Sequence, residues 1–255
     1  MVIHLMNFPV LLALLSLLAM WLAGRIGGYI RAKREVKQGE PRADFNMALT
    51  ATLTLLGLII GFSFSMAMSR YDQRKNFEEA EANAIGTEYL RADVLPPVDA
   101  AKIKSLLATY TDQRVAFYRS RDRTELHHIN AETAQLQKEL WRAVEAPAAA
   151  QPTPLSALAV AGMNDVLNSQ GYTQAAWWYR IPTEAWVLMI AIAMYANLLM
   201  GFNAQGARTN TLVLVLPLLV GISILLVADT DSPRVGLVRV HPVNLIALSK
   251  SLHGH

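Results

Sequence analysis

MALTATLTLLGLIIGFSFSMAMS, residues 47–69, is a continuous stretch without one charged side chain. A helix needs roughly 20 apolar residues, at about 1.5 Å each, to cross the hydrocarbon core of a bilayer. Three more uncharged runs of similar length lie at 5–24, 185–207 and 209–228. Four such runs rarely occur together in a soluble protein. The chain is therefore predicted to be an all-α membrane protein with four transmembrane helices.

The composition of the chain agrees with this assignment. Only 17% of its 255 residues are charged and the mean hydropathy is +0.26, whereas soluble domains average roughly 25% charged residues. The first run is predicted to be a retained span rather than a signal peptide, because no Lys or Arg precedes it and no A-x-A-like cleavage site follows it. There is no cysteine, which excludes disulfides and thiol chemistry.

The residues between the second and third spans are predicted to form a helical extramembrane insertion. Pro is absent from 47 to 95, so one helix from Met47 to Leu95, about 70 Å long, is expected to end at Pro96-Pro97. Apolar residues recur at helical spacing afterwards. The expected order is helices at 99–120 and 124–145, an Ala/Pro-rich linker at 146–154, a helix at 155–169 and an interfacial aromatic belt at 177–182.

Four regions follow from these elements. They are 1–69, with the first two spans and a basic loop at 25–46; the helical domain 70–180; the last two spans, 181–230; and an interfacial tail, 231–255. The loop 25–46 holds six basic and three acidic residues, and no basic residue precedes the first span. The positive-inside rule therefore places this loop in the cytoplasm, and the termini and the 70–180 domain on the other side of the membrane. Basic residues beyond the second and fourth spans, such as Arg70 and Arg239, point the other way.

One face of the second span carries only small residues at steps of three or four. They are Thr50, Thr54, Gly57, Gly61 and Ser65, followed by Ser69. Small residues let helix backbones approach closely in lipid. This face is predicted to pack within the four-helix bundle or, alternatively, to meet another subunit or line a pore.

A neighbouring face of the same span carries Leu56, Ile60 and Phe64, four residues apart. Bulky apolar side chains in successive turns are able to form a hydrophobic constriction that closes a pore by dewetting. These three residues are therefore candidates for lining a pore. The alternative is that they face lipid or another span.

Charged residues cluster where the second and fourth spans end. The second span ends with Arg70, Asp72 and Arg74, and the fourth with Asp229, Asp231 and Arg234. The simplest expectation is a network of ion pairs at the membrane interface. The alternative is a charged vestibule or a cation site formed by the two carboxylates of the fourth span.

No catalytic motif is present. The sequence contains no H-E-x-x-H, G-x-S-x-G or phosphate-loop pattern, so we expect no enzyme, cofactor or metal site. The 70–180 domain holds 13 basic and 14 acidic residues, and this balance argues against a nucleic-acid partner.

Three blocks of sequence resemble those of a family of bacterial four-span membrane proteins described as bestrophin-like. They are FSFSMAMSRYDQRKN (62–76), EEAEANAIGTEYLRADVLPP (78–97) and ADTDSPRVGLVRV (228–240). The resemblance implies a pentameric anion channel whose second span lines the pore, with apolar neck residues one turn apart. Leu56, Ile60 and Phe64 have that spacing. The sequence departs from the bestrophin pattern in its predicted orientation and in having no acidic cluster that matches a calcium clasp.

The spans and this resemblance together predict an oligomeric, pentameric ion channel or pore of the bacterial inner membrane. It is expected to conduct anions, with the second span lining the pore and with the termini and the 70–180 domain in the periplasm. Its expected partners are membrane lipid, further copies of the same chain and inorganic ions. The alternative is a non-conducting membrane sensor, scaffold or assembly factor that acts through the 70–180 domain.

Overall fold

The computed structural model describes residues 8–33, 43–204 and 206–254 of the protein. All regular elements in these ranges are helical. The helices are α1 (Pro9–Lys33), α2 (Ala43–Arg91), α3 (Pro97–Arg119), α4 (Arg123–Ala150), α5 (Pro154–Trp178), α6 (Thr183–Asn203), α7 (Gly206–Asp231) and α8 (Val243–His253), with a 3₁₀ turn at Ala92–Val94.

The chain divides into two compact units. The membrane unit comprises Met1–Arg70 and Arg180–Arg239, and the helical unit comprises Tyr71–Tyr179 and Val240–His255. Among the described residues, four stretches are long and apolar enough to cross a membrane: Pro9–Lys33, Asp44–Val94, Pro154–Asn203 and Leu214–Asp231. The predicted all-α fold with four spans and a helical insertion is confirmed.

The second span continues into the helical unit as one helix. Helix α2 has 49 residues, which corresponds to about 73 Å. It begins four residues before the predicted Met47 and ends through the 3₁₀ turn just before Pro96. The long helix predicted from the absence of proline is confirmed.

Helix α1 packs along α6 and α7 in the membrane unit. Glycines permit backbone contact between α1 and α6: a Cβ atom added to Gly27 would lie 2.1 Å from the Leu198 carbonyl oxygen, and one added to Gly201 would lie 1.9 Å from that of Gly24. Arg31 then donates to the Phe202 carbonyl oxygen at 3.1 Å, beyond which α6 ends.

Helix α1 therefore extends nine residues past the predicted end of the first span at Gly24. The first part of the predicted basic loop 25–46 is helical, because its glycines are used for packing rather than for a turn. Residues 34–42 of that loop lie outside the described residues, as does residue 205 in the predicted turn between the last two spans.

In the helical unit, α3, α4 and α5 surround a core that includes Ile103, Leu107, Leu140 and Met163. The predicted linker at 146–154 is wrong for its first half, because α4 continues to Ala150 with Pro147 buried inside it. Alanines are the strongest helix formers, and here they outweigh a single proline.

Helix α5 begins at a capping box formed by Thr153 and Ser156 and continues nine residues past the predicted end at 169. Trp177, predicted to lie in an interfacial belt, is instead a core residue that packs against Phe117 and Tyr118. Its neighbour Trp178 is exposed.

The C-terminal segment differs from its predicted role as an interfacial tail. Helix α8 belongs to the helical unit, and Leu245 is fully buried there. The Leu245 amide donates to Glu78 Oε1 at 2.9 Å, and Asn244 Nδ2 donates to Glu78 Oε2 at 2.7 Å. The buried carboxylate of α2 therefore holds the first turn of α8 in place.

Candidate functional site

One side of α2 packs into the core of the membrane unit. Leu56, Ser63 and Ala67 are buried on this side, and Leu56 is only 2% exposed. Ile60 and Phe64 are partly buried and pack against the same core, which contains Trp186 and Met189 of α6. The three residues predicted to form a neck thus face the interior of their own subunit.

The opposite side of α2 is open. Its small residues are all exposed, namely Thr50, Thr54, Gly57, Gly61 and Ser65. A Cβ atom added to Gly57 or Gly61 would meet no atom within 4 Å. No described residue of the same chain therefore covers this face at Gly57 or Gly61. Its role stays a prediction.

Two bulky apolar side chains share this open side. Leu58 is 53% exposed and Phe62 is 65% exposed. The exposed surface of α2 thus carries both bulky apolar side chains and small or hydroxylated ones. Thr54 donates its hydroxyl hydrogen to the Thr50 carbonyl oxygen at 2.9 Å, so this hydroxyl is already satisfied within the helix.

The other spans expose a different kind of surface. Helices α1 and α7 expose mainly large aliphatic side chains, among them Leu14, Leu18, Leu218 and Ile222. Such side chains suit contact with lipid tails, whereas small residues are typical of close helix contacts in membranes. The open face of α2 differs from these surfaces in its row of small and hydroxylated residues.

The two carboxylates that end the fourth span bind backbone amides. Asp229 accepts hydrogen bonds from the Leu237 and Val238 amides at 2.8 Å, and Asp231 accepts one from the Ile181 amide at 3.2 Å. Each carboxylate thus binds the backbone of a different chain segment. The cation site suggested for these two residues stays a prediction.

The remaining predicted members of this cluster are divided between the two units. Arg70 and Arg234 belong to the membrane unit, and Asp72 and Arg74 to the helical unit. Arg70 Nη2 lies 3.8 Å from the sulfur of Met66, while Arg74 is almost fully buried. The interfacial network of ion pairs remains a prediction.

The core of the helical unit contains an ion pair between Glu81 of α2 and Arg114 of α3, both fully buried. Thr173 donates its hydroxyl hydrogen to Glu81 Oε2 at 3.0 Å, and the Tyr118 hydroxyl lies 3.4 Å from the same oxygen. Burial raises the pKa of Tyr118, and the nearby Glu81 carboxylate raises it further. This network joins α2, α3 and α5 and orients the distal half of the long helix.

A third buried carboxyl group of the helical unit, that of Glu88, lies beneath α5. A Cβ atom added to Gly162 would lie 2.0 Å from Glu88 Oε2, so the carboxyl group lies directly against the backbone of α5. Burial raises the pKa of Glu88 to about 8, the guanidinium of Arg91 opposes the shift, and Asp165 adds to it. The sequence analysis did not single out Glu88, because a Glu within an acidic stretch gives no sign that it is buried.

Within the described ranges, no group of three or more His, Asp or Glu side chains is placed to hold a metal ion. His127 and His128 lie on the exposed side of α4, and His128 Nδ1 is 3.4 Å from Glu132 Oε1.

The four apolar spans define a multi-pass membrane protein. The family model of the bestrophin-like domain matches residues 10–245, and the chain belongs to this bestrophin-like family. The resemblance seen in the three sequence blocks is confirmed.

Solved structures show the same fold. A bacterial bestrophin homologue from Klebsiella pneumoniae, phased on zinc, shares 15% identity with this chain, with a TM-score of 0.67; the match covers 96% of this chain and 97% of the other. A leucine-to-threonine variant of the Klebsiella homologue matches with 14% identity and a TM-score of 0.68, covering 95% and 98% of the two chains. No curated protein matches the sequence.

Proposed function

We propose that this protein is the subunit of a homo-oligomeric, pentameric anion channel of the bacterial inner membrane, with α2 lining the pore. Membership of the bestrophin-like family supports a channel at the level of the family. The choice of anions and the number of subunits rest on the resemblance to bestrophins. The choice of α2 rests on the geometry of this chain.

The observation that carries the proposal is how little of α2 is covered by its own subunit. In the most apolar 18-residue stretch of α2, only 11% is buried within the subunit. The corresponding stretches of the other three candidate spans are 39–44% buried. In lipid, no hydrophobic force drives this face to become buried. Its small residues are therefore best explained by close contact with neighbouring helices or by a water-filled path. A closed ring places one helix of every subunit around an axis and supplies both.

The proposed pore face differs from the one predicted from sequence. Leu56 is buried in the core of its own subunit, and Ile60 and Phe64 are partly buried against that core. The side chains of α2 that are most free to face an axis lie on its other side. We therefore assign the pore face to the open side of α2, centred on Gly57, Gly61 and the neighbouring hydroxyl residues. Small side chains there leave a wider path than a ring of aromatic and aliphatic residues.

The termini and the helical unit are proposed to lie in the periplasm. The support is the excess of basic residues in the loop 25–46 and their absence before the first span.

The pore assignment is tested by narrowing the open face. Gly61→Leu adds an isobutyl group where the subunit itself offers no obstacle, so the subunit should fold while chloride flux through proteoliposomes falls at least tenfold. Gly171→Leu on α5 is the matched control, because its added atoms also meet open space but lie in the helical unit. Native mass spectrometry of each sample reports the subunit number.

Two results would contradict the pore assignment. The first is full chloride flux from a Gly61→Leu oligomer with the wild-type number of subunits. The second is wild-type protein that forms a closed oligomer and conducts no ion, which would favour the sensor or scaffold function instead.

A further inference from the structure

A cavity of about 630 Å³, lined by both polar and apolar side chains, opens in the helical unit where the end of α3, the start of α4 and α8 meet. Its charged and hydroxyl side chains include Arg119, Arg121 and Lys250, which are cationic, together with Asp112, Glu125 and Ser249. The volume lies in the range of small-molecule sites, roughly 300–1,000 Å³.

Both carboxylates of this cavity already have partners from the protein. Asp112 accepts a hydrogen bond from the Ser249 hydroxyl at 2.6 Å and contacts His253 Nε2 at 2.8 Å. Glu125 accepts a hydrogen bond from the Ser120 hydroxyl. The acidic groups are thus used to hold α8 on α3 and to fix the turn between α3 and α4.

The three cations are not used in this way. Among the ion pairs formed between described residues, none includes Arg119, Arg121 or Lys250. Arg119 and Lys250 lie in the last turns of α3 and α8, where a positive charge stabilises the helix end. That local role explains each charge separately but does not require three of them around one cavity.

We propose that this cavity binds a compound carrying phosphate groups, through Arg119, Arg121 and Lys250. Guanidinium groups present paired N–H donors that match two phosphate oxygens, and a lysine ammonium adds a third positive charge. A diphosphate or a phosphate ester has the two or more negative charges needed to engage three cations. The ligand bridges helices α3 and α8, so its binding stabilises the attachment of the C-terminal helix.

Inorganic pyrophosphate is the probe for a free phosphate compound, and calorimetric titration of the full-length protein in nanodiscs of zwitterionic lipid is the assay. The double variant Arg119→Gln/Arg121→Gln is expected to lose at least tenfold in affinity. The matched control, Lys102→Gln/Arg142→Gln, removes the same charge from exposed positions of α3 and α4 that do not line the cavity, and should bind as the wild type does.

A second arm tests a phospholipid headgroup as the source of the phosphate. Thermal unfolding is compared in nanodiscs of anionic and zwitterionic phospholipid without pyrophosphate. Stabilisation of the wild type by anionic lipid, lost in the Arg119/Arg121 variant but kept in the control, assigns the site to a headgroup. Pyrophosphate binding that depends on the same arginines assigns it to a soluble compound.

The proposal is overturned if neither pyrophosphate nor anionic lipid distinguishes the variant from the control. It is also overturned if the wild type binds no pyrophosphate at millimolar concentration and shows no lipid effect. Neither result depends on whether the protein conducts ions.

Discussion

Glu88 should make the stability of the helical unit depend on pH. Its side chain is fully buried, and neither carboxylate oxygen has a hydrogen-bond partner among the described residues. The pKa of Glu88 is raised by burial from 4.5 to about 8. At pH 7 the folded protein therefore keeps this group protonated, whereas the unfolded chain has already released the proton.

The sign and size of the effect follow from linkage. Below pH 4.5 both states are protonated, so the ionisation of Glu88 does not change the free energy of unfolding. Between pH 4.5 and about 8 the unfolded state gains by ionising while the folded state does not, so stability falls as pH rises. Each pH unit in this interval lowers the free energy of unfolding by about 1.4 kcal/mol. The loss of stability is therefore about 3 kcal/mol at pH 7.

The substitution Glu88→Gln removes this titration and keeps the size of the side chain. We expect the variant to match the wild type near pH 4.5 and to exceed it at pH 7 by about 3 kcal/mol, which corresponds to roughly 10 °C in the unfolding midpoint. Thermal unfolding in nanodiscs followed by circular dichroism, from pH 4.5 to 8.5, measures the difference. Glu79→Gln, at an exposed carboxyl of the same helix, is the control.

The reasoning would be refuted if the unfolding midpoints of the wild type and Glu88→Gln differed by the same amount at every pH. Such a result would show that Glu88 is charged at neutral pH and that α5 does not desolvate it.

Three further predictions concern architecture. Glu79→Pro interrupts α2 and should cost about 3 kcal/mol or more, with loss of the oligomer in native mass spectrometry; normal yield and subunit number would argue against a continuous helix. Gly201→Ala places a Cβ atom 1.9 Å from a carbonyl oxygen of α1, whereas Gly57→Ala meets open space, so the first should lower the unfolding midpoint far more than the second. Equal midpoints would exclude the close crossing of α1 and α6. A reporter active only in the cytoplasm, fused after His255, should be inactive in cells, and strong activity would reverse the proposed orientation.

The spans and the long helix were predictable because they depend on local sequence. Uncharged runs of about 20 residues identify spans, and the absence of proline up to Pro96 is enough to predict α2. The end of α1 was not, since the glycines at 24, 27 and 28 read equally well as a turn. Only the backbone of α6 beside them shows that they serve packing.

The direction in which α2 faces was not predictable for a physical reason. Its two sides, centred on Leu56 and on Gly61, are both uncharged, and in lipid there is no hydrophobic gradient that would separate a buried side from an open one. The neck predicted from the four-residue spacing and from the resemblance to bestrophins lies on the side of α2 that packs against the core of the subunit. In the helical unit, the burial of Glu78, Glu81 and Glu88 was not predictable either, because nothing in their acidic stretch of sequence indicates which carboxylates lie inside.

Chloride efflux from liposomes that contain the purified wild-type oligomer tests the central claim most directly. We expect chloride efflux well above that of protein-free liposomes, and higher than the efflux of a large organic anion such as gluconate measured in the same way. Efflux at the protein-free level, from a preparation shown to be a closed oligomer, would contradict it.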